Sequence, residues 1–96
     1  MKKLLLASLF LLPLSSLFAQ WYKPEKVGKK TAAIYSKALE NADDGKYPEA
    51  IAGLGDAIKS DSMLVDAYLS RAGIYATVKD YKNSVIDFEK ALRRMI

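Results

Sequence analysis

A tight turn followed at once by an amphipathic helix is the feature of this sequence that most constrains its fold. The stretch from Asp44 to Ile58 reads DGKYPEAIAGLGDAI. Gly45 can adopt the left-handed conformation that ends a helix, and Pro48 suits the first turn of the next helix, where no backbone N–H is needed. The spacing predicts a helix that begins near Pro48 and carries one apolar stripe that must be buried. That stripe comprises Tyr47, Ala50, Ile51, Leu54, Ala57 and Ile58.

The same pattern occurs a second time, 34 residues further along the chain. The stripe is repeated by Tyr81, Ser84, Val85, Phe88, Ala91 and Leu92. The segment before the turn repeats as well, since Ala33, Ser36, Ala38 and Ala42 correspond to Ala67, Ser70, Ala72 and Ala76. A 34-residue helix–turn–helix period is the signature of the tetratricopeptide repeat. We therefore expect an all-α fold of two stacked antiparallel helix–turn–helix units, at residues 31–64 and 65–96.

The residues at the characteristic small and aromatic positions resemble the tetratricopeptide family as well. The resemblance implies that the repeats pack through Ala38, Gly45, Tyr47, Ala50 and Ala57 in the first copy, and through Ala72, Tyr81, Phe88 and Ala91 in the second. The chain departs from the family pattern at Ile34, where a large aromatic is favoured, and at Ser84, where alanine is typical. Neither Ser62 nor Ile96 is the proline that usually ends a unit.

In this family the first helix of each pair lines a concave groove. The resemblance implies that the groove is lined here by Ala32, Tyr35, Leu39 and Ala42, and by Asp66, Leu69, Gly73 and Ala76. Some members hold a peptide's terminal carboxylate with Lys and Asn at two of these positions, where this chain has Tyr35 and Leu39. The groove residues therefore favour an apolar helix or segment, another repeat of the same protein included, or else they pack on neighbouring parts of the chain.

The helix boundaries follow from local signals. The first helix is expected from Thr31 to about Asp43, with Ala33 among the residues that pack on the second helix. Asp61 or Ser62 is expected to cap the third helix, with the carboxylate of Asp66 favourably placed near its N-terminus. The third helix is expected to end at about Val78, and the fourth to begin at about Tyr81. Lys79 takes the position of Gly45, so the second turn holds either a left-handed lysine or a different geometry.

Residues 1–19 have the pattern of a secretory signal peptide: Lys2 and Lys3, an apolar run from Leu4 to Leu12, and a small residue at Ala19. A membrane anchor is the competing interpretation, but even Leu4 to Ala19 is shorter than the roughly 20 residues that span a bilayer. Residues 20–30, QWYKPEKVGKK, are a basic lead-in. They predict either a strap over the first helix or a contact with an acidic surface or single-stranded nucleic acid.

Composition argues against catalysis and against metal or cofactor binding. The sequence contains no Cys and no His, which excludes thiolate and imidazole ligands and the commonest general base. The acidic turn at residues 41–45 lacks oxygen ligands at the spacing of a calcium loop. The carboxylate pairs Asp43/Asp44 and Asp87/Glu89 are interpreted as solvated helix faces. The formal charge of +4 falls to +2 without Lys2 and Lys3, which argues against nucleic acid as a partner.

The sequence thus predicts an exported protein-interaction module of the cell envelope, periplasmic or associated with the outer membrane; the alternative is a purely structural N-terminal cap of a repeat array. The order of parts resembles the start of Gram-negative envelope proteins that continue into an outer-membrane-protein-A-like domain. We expect the chain to be either part of a longer protein or self-associating, because the apolar residues of the last helix outnumber what one neighbour can cover. Those residues are Val85, Ile86, Phe88, Leu92, Met95 and Ile96.

Overall fold

The computed structural model describes residues 27–96, which form four helices and no strand within that range. The helices are α1 (Lys29–Asp43), α2 (Tyr47–Ser60), α3 (Val65–Thr77) and α4 (Tyr81–Met95). Each packs mainly on the next along the chain, so that two antiparallel pairs, α1/α2 and α3/α4, stack through α2 and α3. The all-α fold of stacked helix pairs is therefore confirmed. The predicted signal peptide and most of the basic lead-in lie outside the described residues.

The two turns within the pairs have the same geometry. In the first, Gly45 has φ +75°, its N–H donates to the carbonyl of Ala42, and the Lys46 N–H donates to Asn41. In the second, Lys79 has φ +66°, and the N–H groups of Lys79 and Asp80 donate to the carbonyls of Ala76 and Tyr75. Both turns are Schellman motifs, in which the left-handed residue lets two orphan carbonyls accept a bond. The sequence left the geometry at Lys79 open, and the structure shows the left-handed lysine.

The link between the pairs differs from the sequence-based expectation. Neither Asp61 nor Ser62 caps α3, because α3 begins only at Val65 and its N-cap residue is Leu64. The Asp61 carboxylate instead accepts a hydrogen bond from the Met63 N–H at 3.0 Å, which closes a local turn before the helix. The side-chain cap occurs at α4, where the Asp80 carboxylate accepts from the Asn83 N–H at 3.3 Å.

The core lies between α1, α2 and α3 and depends on small residues. Ala38, Ala50 and Ala57 are almost completely buried, as the packing pattern predicted. A Cβ placed on Gly53 would lie 2.9 Å from the Ala38 Cβ, so α1 and α2 approach as closely as side chains allow. The core cluster consists of Tyr35, Ala38, Ala50, Leu54, Ala57, Leu64, Ala67 and Ile74. Ala33, which was expected to pack on α2, is exposed instead, since it lies on the outer side of α1.

A buried ion pair joins α3 and α4. The Arg71 guanidinium donates two hydrogen bonds to the Asp87 carboxylate, Nε to Oδ2 at 2.7 Å and Nη2 to Oδ1 at 2.8 Å. The Asp87 side chain is only 2% exposed. The interpretation of Asp87 as part of a solvated face was therefore wrong, because its side chain points back towards α3. Hydrogen bonding to Asp87 also raises the pKa of Arg71, so the guanidinium stays charged.

Candidate functional site

The residues predicted to line a groove lie on α1 and α3, but they differ in accessibility. Tyr35 is buried, and its hydroxyl lies 3.2 Å from the Ser70 hydroxyl, so this side chain joins the two helices instead of facing solvent. Gly73 is exposed. The half-buried members of the set are Ala32, Leu39, Ala42, Leu69 and Ala76. The part of the predicted groove that remains open is therefore the α3 segment around Gly73.

A mostly apolar pocket of about 230 Å³ opens at this segment. Among the described residues its lining consists of Leu69, Ser70, Gly73 and Phe88, so α3 supplies three residues and α4 the fourth. Gly73 occupies the repeat position that Leu39 holds in the first copy, and nothing lies within 4 Å of where its Cβ would be. Gly73 thus contributes no side chain that would fill the pocket. Its size is below the usual range for drug-sized ligands and suits one large apolar side chain.

Asp66, also a predicted groove residue, is 2% exposed, and neither carboxylate oxygen has a hydrogen-bond partner among residues 27–96. It lies in the first turn of α3, as the sequence predicted, where the helix dipole favours a negative charge. Burial acts in the opposite direction and raises the pKa of Asp66 from 3.8 to about 6. Asp66 is therefore a buried acid with no hydrogen-bond partner in the described part of the chain, and it does not line an open groove.

The outer face of α4 is apolar and exposed, as the sequence predicted for the patch. Tyr81 and Phe88 were also expected to pack the repeats together, and this was wrong: they are 62% and 47% exposed. A comparison with Leu54, which holds the same repeat position on α2 as Phe88 does on α4, explains this exposure. Leu54 is 0% exposed, since α3 covers that face of α2, whereas α4 packs on α3 mainly through the neighbouring face that carries Ser84 and Ala91.

The outer face of α1, at the other end of the stack, is polar. Its exposed residues include Ala33, Ser36, Lys37 and Glu40, and none of these four is a large apolar residue. Ala33 and Ser36 correspond to Ala67 and Ser70, which pack inwards from α3. A polar outer face is the property of a terminal unit in a stack of repeats.

Two further searches of the described residues concern metal ions and membranes. Within residues 27–96, no group of three or more acidic side chains lies close enough together to hold a metal ion. None of the four helices combines the length and apolar character that crossing a membrane requires. The features that distinguish the described surface are thus the pocket at Gly73 and the apolar face of α4.

The sequence analysis identified Leu69 and Gly73 but missed that Ser70 and Phe88 complete the same pocket. The signal was present: Phe88 belongs to the last helix, whose predicted apolar patch exceeds what one neighbour can cover. A comparison with protein-family models, curated proteins and solved structures finds no match to this chain. The class that the fold defines is therefore an all-α protein of stacked helix–turn–helix units.

Proposed function

We propose that this chain is an exported protein–protein interaction module of the cell envelope, built on two tetratricopeptide-type repeats. The 34-residue period, the small residues at the helix contacts and the two equivalent turns support the repeat assignment. The signal-peptide pattern of residues 1–19 supports export. The role is that of a scaffold, which binds another protein and carries out no chemistry on it.

The observation that carries this proposal is the apolar pocket at Gly73. A concave, mostly apolar pocket with a few polar groups is the usual form of a binding site. Leu69 and Phe88 provide apolar walls, and Ser70 provides one hydroxyl at the edge. These properties suit the anchor side chain of a partner helix or extended segment, which would enter the pocket with a Leu, Phe or Met.

Photocrosslinking in the host organism tests the binding role. A benzophenone amino acid replaces the exposed Thr77, one turn beyond Gly73 on α3, so that the pocket itself stays open, and the control carries the same group at the exposed Ala52 of α2. We expect a discrete protein adduct from position 77 that is absent from position 52 and is lost when Leu69 is also changed to Glu. The same adducts from both positions, or none from position 77, would contradict the binding role.

Export is tested separately by N-terminal sequencing of the protein from fractionated cells. The signal-peptide pattern predicts cleavage after Ala19, which leaves Gln20 as the first residue of the envelope-associated form. An intact Met1 on protein confined to the cytoplasm would refute export without affecting the crosslinking result.

A structural role as the N-terminal cap of a repeat array is the second candidate, and the polar outer face of α1 favours it. A cap shields the apolar interior of a stack on one side and exposes polar residues on the other, as Lys37 and Glu40 do here. This candidate predicts no specific adduct at position 77. It also predicts that Ser36→Leu on the outer face of α1 lowers solubility while the helix content stays unchanged.

A further inference from the structure

The exposed apolar residues of α4 form a seam with the spacing of a helix-pairing interface. Tyr81, Val85, Phe88, Leu92 and Met95 follow one another at steps of four, three, four and three residues. This alternation is the a/d pattern of a heptad, which places all five on one narrow stripe of a helix. Every one of them is at least 39% exposed. The seam is therefore an unpaired helix face over the full length of α4.

We propose that two copies of this chain associate through this seam, with the two α4 helices antiparallel about a two-fold axis. Of the nine large hydrophobic residues that are exposed within residues 27–96, six lie on α4 and a seventh, Ile96, follows it directly. The only described face that matches the seam in apolar character is thus the same seam on another copy. A two-fold arrangement buries both faces at once and leaves none open, because the contact is isologous.

Head-to-tail stacking of copies is disfavoured by the charges at the other end of the molecule. Stacking in that direction would place the outer face of α1 on α4 in the manner in which α3 lies on α2. The α1 residues Lys30 and Glu40 would then take the places of Leu64 and Ile74, which are buried in the core. Burying two charges against Phe88 and Leu92 would cost several kcal/mol without compensating partners.

The antiparallel direction follows from which residues of the two seams, and of the positions beside them, come to lie opposite one another. When the two-fold axis passes between residues 86 and 87, Tyr81 lies opposite Leu92 of the second copy, and Val85 lies opposite its Phe88. The same register brings Met95 to the exposed Val78 of the second copy, so the contact continues past the helix end.

The charged residues beside the seam agree with this direction. Lys82 and Glu89 border one side of the seam and are exposed. In the antiparallel register Lys82 of each copy comes beside Glu89 of the other, which gives two pairs of opposite charge. In a parallel pair these residues would instead face the other flank, where Ser84 and Ala91 are buried under α3 and offer no charge. Phe88 belongs both to this seam and to the wall of the α3 pocket. Leu69→Glu alters the pocket without touching the seam, so it should leave the dimer Kd unchanged while it removes partner binding, and it thereby separates the two proposals.

The first test is sedimentation of the purified protein, in the processed form that its host produces, across a wide concentration range. We expect a reversible monomer–dimer equilibrium. Phe88→Asp, at the centre of the seam, should raise the dimer Kd by at least about 30-fold. The matched control is Ile86→Asp, which adds the same charge at a position that is 37% exposed but lies on the opposite side of α4. It should change the Kd by less than about 3-fold.

The second test establishes direction and uses the absence of cysteine from the natural sequence. Oxidation of a mixture of Tyr81→Cys and Leu92→Cys chains should give the mixed disulfide dimer, while each variant alone stays uncrosslinked. In the antiparallel register the two Tyr81 positions are eleven residues apart along the helices, or about 16 Å, which exceeds the reach of a disulfide.

Three outcomes would overturn the inference. A monomer at every concentration would show that α4 is covered by something other than a second copy, such as a further helical unit. A disulfide formed by Tyr81→Cys alone would show a parallel pair. Association that Phe88→Asp and Ile86→Asp weaken equally would place the interface outside the seam.

Discussion

Asp66 should make the folded protein more stable at acidic than at neutral pH, which is the opposite of the usual effect of an aspartate. Two effects compete there, since the N-terminus of α3 favours the ionised form by about 0.3–1 kcal/mol and burial disfavours it. Burial prevails, because both oxygens lack partners, and the pKa of Asp66 is raised from 3.8 to about 6. The folded state thus binds the proton more tightly than the unfolded state does.

The sign and magnitude follow from linkage. Because the folded-state pKa lies above the unfolded one, the stability from the neutral acid is complete below about pH 4 and is lost as the pH rises through 6. The difference between 3.8 and about 6 corresponds to about 3 kcal/mol in total. Of this, about 1.3 kcal/mol falls between pH 5 and pH 7. For a domain of this size, that change moves the Tm by about 5–10 °C.

Asp66→Asn isolates this contribution, because it keeps the shape of the side chain and removes the charge. We expect the free-energy difference between Asp66→Asn and the natural protein to shrink by about 1.3 kcal/mol when the pH falls from 7 to 5. Urea melts at pH 5, 6, 7 and 8 measure it, with Asp56→Asn at an exposed position of α2 as the control. If the difference is independent of pH, or grows as the pH falls, then the helix terminus or an unseen donor outweighs burial and the reasoning fails.

Three further predictions concern packing and turns, each measured by thermal or urea melts. Gly53→Ala should lower stability because its new Cβ would lie 2.9 Å from an α1 side chain. The control Gly55→Ala meets only ordinary contacts and should raise the free energy of unfolding by about 0.5–1 kcal/mol. Equal effects of the two variants would contradict the close approach of α1 and α2. Asp87→Ala should cost about 3–5 kcal/mol by leaving Arg71 buried without its partner, and the double variant Arg71→Met/Asp87→Leu should recover most of that loss. Lys79→Gly should add about 1 kcal/mol, since only the lysine is strained at φ +66°.

The helix order and the turns could be predicted because they depend on local chemistry and on the repeat. A glycine after a helix and a proline three residues later leave few alternatives to the turn at Gly45. The 34-residue period then predicts the same turn at Lys79, although lysine by itself disfavours the left-handed conformation. The alanines at the helix contacts were predictable for the same reason, since Ala57 and Ala91 occupy equivalent positions and both are buried.

The burial of individual charged residues could not be predicted, because it depends on which residue lies across the contact. Asp87 and Glu89 are two residues apart on the same helix, yet only Asp87 points towards Arg71 and is buried. Nothing in the local sequence links residues 71 and 87. The position of Asp66 in the first turn of α3 was likewise predictable from the sequence. That its carboxylate has no hydrogen-bond partner among the described residues was not.

The contrast between Leu54 and Phe88 shows what the repeat determines and what it leaves to the neighbours. The period makes the same face of α2 and α4 apolar, but a residue on that face is buried only where another helix covers it. Leu54 is covered by α3, and Phe88 has no equivalent cover among the described residues. Among the described surfaces, the apolar face of α4 is thus the one best suited to further association, and the polar outer face of α1 is less suited to it.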